Sequence, residues 1–394
     1  TWDFTNPGQD DFKIRVYGYE ASINNVTSSP RGETIQSTNM CNNWWDDTYL
    51  KRKNITISAG TAQIPSGYSV SVTFDHAAMV SEGSAQADGD DLRVAYWDGI
   101  TWTELDRVVD PLSSWNAVAT KIWFKSQAVI DASGSDDGYY IYYDEPSASN
   151  PPDDWANVFV MGDDFNDGTL TTGLDVSTNG SATISETGGE AVISGGSANA
   201  DAGIVVTDSA LPIDRKFTIR HKVNHVSGST DLPSGCCNPE VKLIGIVESA
   251  SQPAVDDGTL ENPRRRIMIF HRTDTNVEAG KELTSWIFYF KPGHTSVNWD
   301  GTQWVDPGST IAWATLPMNT DFIYDFISDG TNWYVRVSDA EGTVLTQTDP
   351  VPWTSVEDNT NDFWLYRGEV YTVAYRHDTK SDWVHLRQYI DPEP

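Results

Sequence analysis

The sequence predicts an all-β protein built as two successive sandwiches, and three observations predict it. Nearly every ordered segment alternates polar and apolar residues with β-branched and aromatic enrichment, the period of a half-buried strand. Examples are "NITIS", "YSVSVTF", "DLRVAYW", "ATKIWFK" and "YYIYY" early on, then "FTIRHKV", "VKLIGIV", "RRIMIFH", "TSWIFYF", "DFIYDFI", "NWYVRVS" and "DWVHLRQYI". Asp-Gly pairs beside tryptophan recur in "YWDGITW" (96–102), "NWDGTQW" (298–304) and "SDGTNWYV" (328–335). Asp-Gly between aromatic flanks favours a tight hairpin and sets the tryptophans across from each other. Helical periodicity is confined to "DHAAMVS" (75–81), expected as one short helix.

Residues 1–43 read as an arm rich in Ser, Thr and Asn that carries one strand, "DDFKIRVYGYEASINNV" (10–26). Phe12, Ile14 and Val16 alternate with Lys13, Arg15 and Tyr17, and Gly18 allows a bend before Tyr19, Ala21 and Ile23. Such a strand needs a host sheet, either its own chain's or a neighbour's, reached by strand addition. Residues 44–146 form the first sandwich. The stretch "DEPSASNPPDDWAN" (144–157) cannot enter a sheet interior, so 147–157 is expected as a stiff linker. Residues 158–394 form the second sandwich.

The chain has 394 residues, 57 acidic against 26 basic, and a net charge of −31. That balance repels phosphate backbones and anionic lipid, which argues against nucleic-acid partners and membrane insertion. No apolar run is long enough to span a bilayer. The opening Thr1, without an initiator Met, fits a mature exported product. The three cysteines, Cys41, Cys236 and Cys237, have neither the number nor the spacing of a zinc site or disulfide framework. A vicinal disulfide, a bridge from Cys41 and free thiols all stay open.

Candidate sites follow from chemistry. "DGDD", with Asp88 and Asp90, and "GDDFNDG", with Asp163, Asp164, Asn166 and Asp167, place hard oxygen ligands in glycine-bearing loops, as calcium sites do. A chain this acidic also carries solvated Asp-rich turns by default. Among 16 tryptophans, most of which belong to cores, Trp299 and Trp304 on an expected exposed hairpin are the candidates for stacking on sugar rings. Arg264, Arg265 and Arg266 make a rare basic spot that could meet an acidic neighbour, though such a spot is more often a solvated strand end. Sequons at Asn25, Asn54 and Asn179 are candidate glycosylation sites. His221 and His225 are the one close histidine pair on a strand, without a third ligand. Glu240 and Glu248 are too far apart along their strand to flank one glycosidic bond, and no nucleophile elbow or phosphate-cradling loop occurs. Together these absences favour a non-enzyme.

Five segments, "KRKNITIS" (51–58), "IPSGYSVSVTFDHAAMVSEG" (64–83), "ADGDDLRVAYWDGITWTELDR" (87–107), "ATKIWFK" (119–125) and "DDGYYIYYDEPSA" (136–148), carry a resemblance to an uncharacterised family of exported bacterial and archaeal modules, domain of unknown function 2341. "FVMGDDFNDGTL" (159–170) and "WVHLRQYI" (383–390) resemble the first and last strands of a laminin-G or concanavalin-A-like jelly roll. The resemblance implies a secreted or cell-surface β-protein with no assigned catalysis, whose jelly roll binds glycans or proteins and holds structural calcium (Ca2+). The leading expectation is a non-enzymatic subunit of an extracellular, pilus-like filament. Copies of the chain would join head-to-tail through the arm residues Phe12, Ile14, Val16, Tyr17, Tyr19 and Ile23, displaying the jelly roll for adhesion. The alternative is a monomeric secreted or surface-attached adhesin that binds polysaccharide. A secreted glycan hydrolase ranks behind both.

Overall fold

The computed structural model describes residues 11–12, 44–170, 174–179, 183–194, 200–206, 214–226, 240–247, 265–272, 283–290, 298–299, 304–305, 308–317, 319–355, 362–370 and 378–391. They fall into two compact units, Thr1–Asp154 and Trp155–Glu393. The expected all-β class is what the structure shows.

Unit 1 contains β1 (Asp11–Phe12), β2 (Lys51–Ser58), β3 (Ser69–Phe74), α1 (His76–Ser81), β4 (Arg93–Trp97), β5 (Trp102–Leu105), β6 (Val108–Val109), β7 (Thr120–Lys125) and β8 (Ser135–Tyr143). They make a five-stranded sheet, β1-β2-β8-β4-β5, and a three-stranded sheet, β3-β7-β6. Strand alternation fixes what each face does. Odd positions of β8 turn towards the three-stranded sheet, where Tyr139 meets Phe124 of β7 at 5.7 Å between ring centroids. Ile141 lies beside Val94, which lies beside Leu105, and all three are buried. Burying a side chain of this size contributes about 1.5–3 kcal/mol. Even positions, Tyr140 and Tyr142, take the opposite face, which is also aromatic. Helix α1 forms where periodicity put it, with the Asp75 carboxylate accepting from the Ala78 amide at 2.9 Å as its N-cap.

The arm enters the described structure at two residues. Asp11 lies opposite Arg52 and Phe12 opposite Lys51, on the edge of their own chain's sheet. Ile14, Val16, Tyr17, Tyr19 and Ile23 lie outside the described residues, as do Asn25 and the three cysteines.

The linker expectation needs correction. Most of residues 145–154 are docked on unit 1: Gln86 donates to the carbonyls of Glu145 (3.2 Å) and Ala148 (2.9 Å), Arg93 to Ser149 (2.7 Å), and the Arg107 amide to Pro152 (3.0 Å). Prolines remove backbone donors but leave carbonyls, and side-chain cations and amides of unit 1 take those up. From Trp155 the chain turns into a short helix, α2 (Trp155–Val158).

Unit 2 continues with β9 (Met161–Asp163), β10 (Leu174–Asn179), β11 (Thr183–Glu186), β12 (Ala191–Ser194), β13 (Ala200–Val206), β14 (Lys216–Val226) and β15 (Glu240–Val247). Next come β16 (Arg265–Arg272), β17 (Leu283–Phe290), β18 (Asn298–Trp299), β19 (Trp304–Val305), β20 (Gly308–Leu316), β21 (Asp321–Asp329) and β22 (Asn332–Asp339). The last strands are β23 (Val344–Gln347), β24 (Val351–Pro352), β25 (Asp362–Val370) and β26 (Asp378–Gln388). One antiparallel sheet runs β10-β13-β25-β15-β16-β17-β20. The other runs β11-β12-β26-β14-β21-β22-β23, with β9 on β26 and β24 on β22. The first and last strands of the unit are therefore neighbours, Asp163 opposite Val384 and Met161 opposite Leu386. The inner face of the second sheet is a dry layer of Phe217, Ile219, Tyr324, Phe326, Trp333 and Leu386, with Phe326 stacked on Trp333 at 5.7 Å.

All three Asp-Gly stretches are hairpins. Trp97 faces Trp102, and Trp299 faces Trp304, but Trp333 faces Ser328 and is fully buried. Gly99 and Gly330 hold φ of +95° and +87°, which only glycine adopts without strain.

Candidate functional site

The outer face of the five-stranded sheet in unit 1 carries a dense group of partly exposed aromatic rings. It arises because β2, β8, β4 and β5 bring the residues of one face into rows: Arg52 beside Tyr142, Tyr140 beside Ala95, and Trp97 beside Trp102. The strap before β2 lies over the first row. The Trp45 amide donates to the Tyr142 hydroxyl at 2.9 Å, and Trp45 meets the rings of Tyr49 at 5.4 Å and Tyr142 at 5.6 Å. Buried Tyr49, Ala95 and Tyr142 form the floor, and Trp44, Trp45, Trp102 and Tyr140 pack on it while staying partly open.

Arg52 pins this face from within. Its guanidinium donates to the Tyr142 hydroxyl at 3.1 Å. It also lies 4.5 Å from the Tyr140 ring, 4.9 Å from Trp44 and 5.9 Å from both Trp102 and Tyr142. A desolvated cation among aromatic faces is worth about 2 kcal/mol, so it fixes the rings' orientation as well as filling space. Trp97 and Trp102 meet at 5.2 Å with their planes tilted by 41°, and Trp102 stands edge-on to Tyr140 at 5.4 Å. The turn between them is rigid: Asp98 accepts from the amides of Ile100 and Thr101, each at 2.6 Å, and from the Thr101 hydroxyl at 2.9 Å. Those three donors hold the Asp98 carboxyl below its ordinary range.

The acidic loops chosen from sequence have different structures. At Asp88–Asp91 the organiser is a protein cation: Arg107 donates to the carbonyls of Gly89 (2.7 Å) and Leu92 (2.9 Å) and lies 4.6 Å over the Trp115 ring. Burial pushes Arg107 down to about 10. Asp88 is exposed and accepts from the Asp90 amide at 3.2 Å, while buried Asp91 accepts from the amides of Gln86 (2.9 Å) and Asp144 (3.0 Å).

In the second loop Asp163 is buried and accepts from the Phe165 amide (2.8 Å), Asp164 accepts from Asn166 (3.4 Å), and Asp167 accepts from the amide (2.7 Å) and hydroxyl (2.8 Å) of Thr169. Glu186, which sequence reasoning missed, joins this loop from β11. Burial and the nearby Asp163 and Asp167 charges raise its carboxyl against the opposing pull of the Gly168 and Thr169 amides, and both its oxygens are closed to solvent. Among the described residues no three His, Cys, Asp or Glu side chains converge as a metal-binding group.

The remaining candidates are dispersed. Trp299 and Trp304 are cross-strand neighbours in unit 2, as their hairpin pattern predicts. Asn54 is exposed on β2 and its amide donates to the Asp137 carbonyl at 2.6 Å, whereas Asn179 ends β10 opposite Asp201. His221 points into the interior of unit 2, where desolvation lowers it to about 3. Glu240 begins β15, and Glu248 lies outside the described residues. Trp97 and Trp102 carry the same Asp-Gly signature as Trp299 and Trp304, a signal that pointed to them but is shared by buried Trp333.

No family model matches the chain, and no curated protein matches it. Solved structures similar to it include one from work on endo-acting O-glycanases with which human gut bacteria initiate mucin breakdown. That match has a TM-score of 0.38 and 11% identity, and covers 59% of this chain and all of the other. The carbohydrate recognition domain of Emp47p gives 0.36 at 11% identity, covering 59% of this chain and 96% of its own. An alginate lyase from Alteromonas sp. 272 gives 0.32 at 8% identity, with 55% and 94% covered. Likeness at this level assigns neither family nor activity, and any function rests on the chain's own residues.

Proposed function

We propose that the chain is a secreted or surface-attached polysaccharide-binding protein without catalysis, and that unit 1, which resembles domain of unknown function 2341, holds the binding face. The observation that carries this reading is the Trp97–Trp102 pair, two partly exposed indoles on a rigid hairpin, continued by Tyr140 and Trp44. Sugar rings present apolar C–H faces that stack on such rings. Arg52 holds the platform in place before any ligand arrives, which lowers the ordering cost of binding.

Affinity electrophoresis through gels containing soluble polysaccharides tests it. Wild-type protein should be retarded by at least one polysaccharide, and Trp97→Ala or Trp102→Ala should weaken binding about tenfold, roughly the worth of one stacked ring. Unchanged retardation in both variants, with folding verified by circular dichroism, would sink the proposal.

Polymerisation through the arm is the competing reading. Asp11 and Phe12 sit on their own chain's β2, so a filament needs those contacts exchanged between copies. Filaments of full-length protein that vanish on deleting residues 1–25 would replace the binding role. Hydrolysis abolished by one Asp or Glu substitution would replace both.

A further inference from the structure

We infer that the aromatic face of unit 1 selects uncharged polysaccharides and rejects uronic or sulfated ones. The inference rests on the reading of Trp97 and Trp102 as a sugar platform and adds the chemical class of its ligand. Two cations belong to that face, and each is engaged. Arg52 is 7% exposed and lies beneath the rings. Arg93 is 8% exposed, paired with Glu104 at 3.0 Å and bonded to the Ser149 carbonyl at 2.7 Å. Acid remains at the surface: exposed Asp98 lies at the end of the tryptophan pair.

A polyanion laid on these rings would meet carboxylates at close range and, among the described residues of that face, no unengaged guanidinium or ammonium, with the −31 charge of the chain opposing its approach. A neutral chain stacks without that penalty, and its hydroxyls can donate to the Glu104 and Asp98 carboxylates. A proline-rich peptide also fits aromatic ridges. Ile100, 83% exposed at the hairpin tip, separates the two occupants: a peptide would use that apolar side chain, whereas a sugar has no need of it.

Full-length protein titrated calorimetrically with a neutral β-glucan, a galactomannan, alginate and chondroitin sulfate, at low and high salt, decides the matter. Binding to a neutral polymer should change less than about twofold with salt, because no ion pair is made. Neither anionic polymer should bind at low salt. Glu104→Gln, which frees Arg93 from its partner, should raise binding of alginate relative to the neutral polymer. Tighter binding of alginate or chondroitin sulfate by the wild type, weakening with salt, would overturn the inference while leaving the platform intact. Failure of all four polymers would remove the platform reading itself. Binding of a proline-rich peptide that Ile100→Asp abolishes would assign the face to a protein partner instead.

Discussion

At the scale of single residues, buried polar groups set the predictions. His221 is 1% exposed and neither ring nitrogen has a hydrogen-bond partner among the described residues. Its folded value, about 3, lies below its ordinary 6.5. A depressed histidine favours the folded state fully above pH 6.5 and loses that contribution as the pH falls from 6.5 towards 3. His221→Phe should therefore raise the melting temperature at neutral pH, by relief of an unpaired group worth about 1–3 kcal/mol. It should raise it further at pH 5, which calorimetry across that range would show. Glu186 behaves with the opposite sign. Its raised carboxyl makes ionisation costly to the fold, so Glu186→Gln should stabilise unit 2 at pH 7, and the gain should disappear below about pH 4.5, where the unfolded carboxyl is protonated as well. A melting curve insensitive to either change would refute the corresponding assignment. Neither environment was legible in the sequence. Histidine and glutamate on alternating strands look the same whether they face water or a neighbouring sheet, and only the pairing of His221 with Tyr324 and Val384 places it inside.

Among elements, hairpins and short loops carry the local logic. The Asp-Gly hairpins were legible because their cause is local: at Asp98–Gly99 and Asp329–Gly330 glycine takes positive φ and aspartate accepts from the following amides. Gly89 shows a dependence that is not local. At φ +75° its added Cβ would stand 2.5 Å from the Trp115 ring, on which Arg107 lies. Gly89→Ala should cost about 1–3 kcal/mol through displacement of that ring and of the guanidinium that holds the loop carbonyls. The unit 1 transition in differential scanning calorimetry reads this directly, and an unchanged transition would show that Trp115 is not a fixed part of the loop. The linker illustrates the same division. Its composition correctly forbade strand, but composition does not show that Gln86, Arg93 and Arg107 wait on unit 1 to receive its carbonyls.

For the whole molecule, the dominant property is charge. With 57 acidic residues against 26 basic, compaction brings like charges together, so added salt should raise stability until the repulsion is screened. The expected gain is about 2–4 °C for each kcal/mol relieved, measured as melting temperature against sodium chloride. A flat or falling curve would mean that ion pairs such as Lys222–Asp382 at 2.8 Å and Arg220–Asp325 at 3.2 Å outweigh the net repulsion.

By itself the sequence determined the all-β class, the strand segments, the hairpins and the one capped helix. Each depends on side-chain period, turn conformation or capping within about ten consecutive residues. Only the tertiary structure decided which aromatic residues form a face. Trp44, Arg52, Trp102 and Tyr142 come from separate strands and a strap, and they meet because β2, β8 and β4 pair across long stretches of chain. Whether a tryptophan fills a core, as Trp333 does, or stands half-open, as Trp102 does, depends on what lies over its face of the sheet. That is a non-local fact which no run of neighbouring residues encodes.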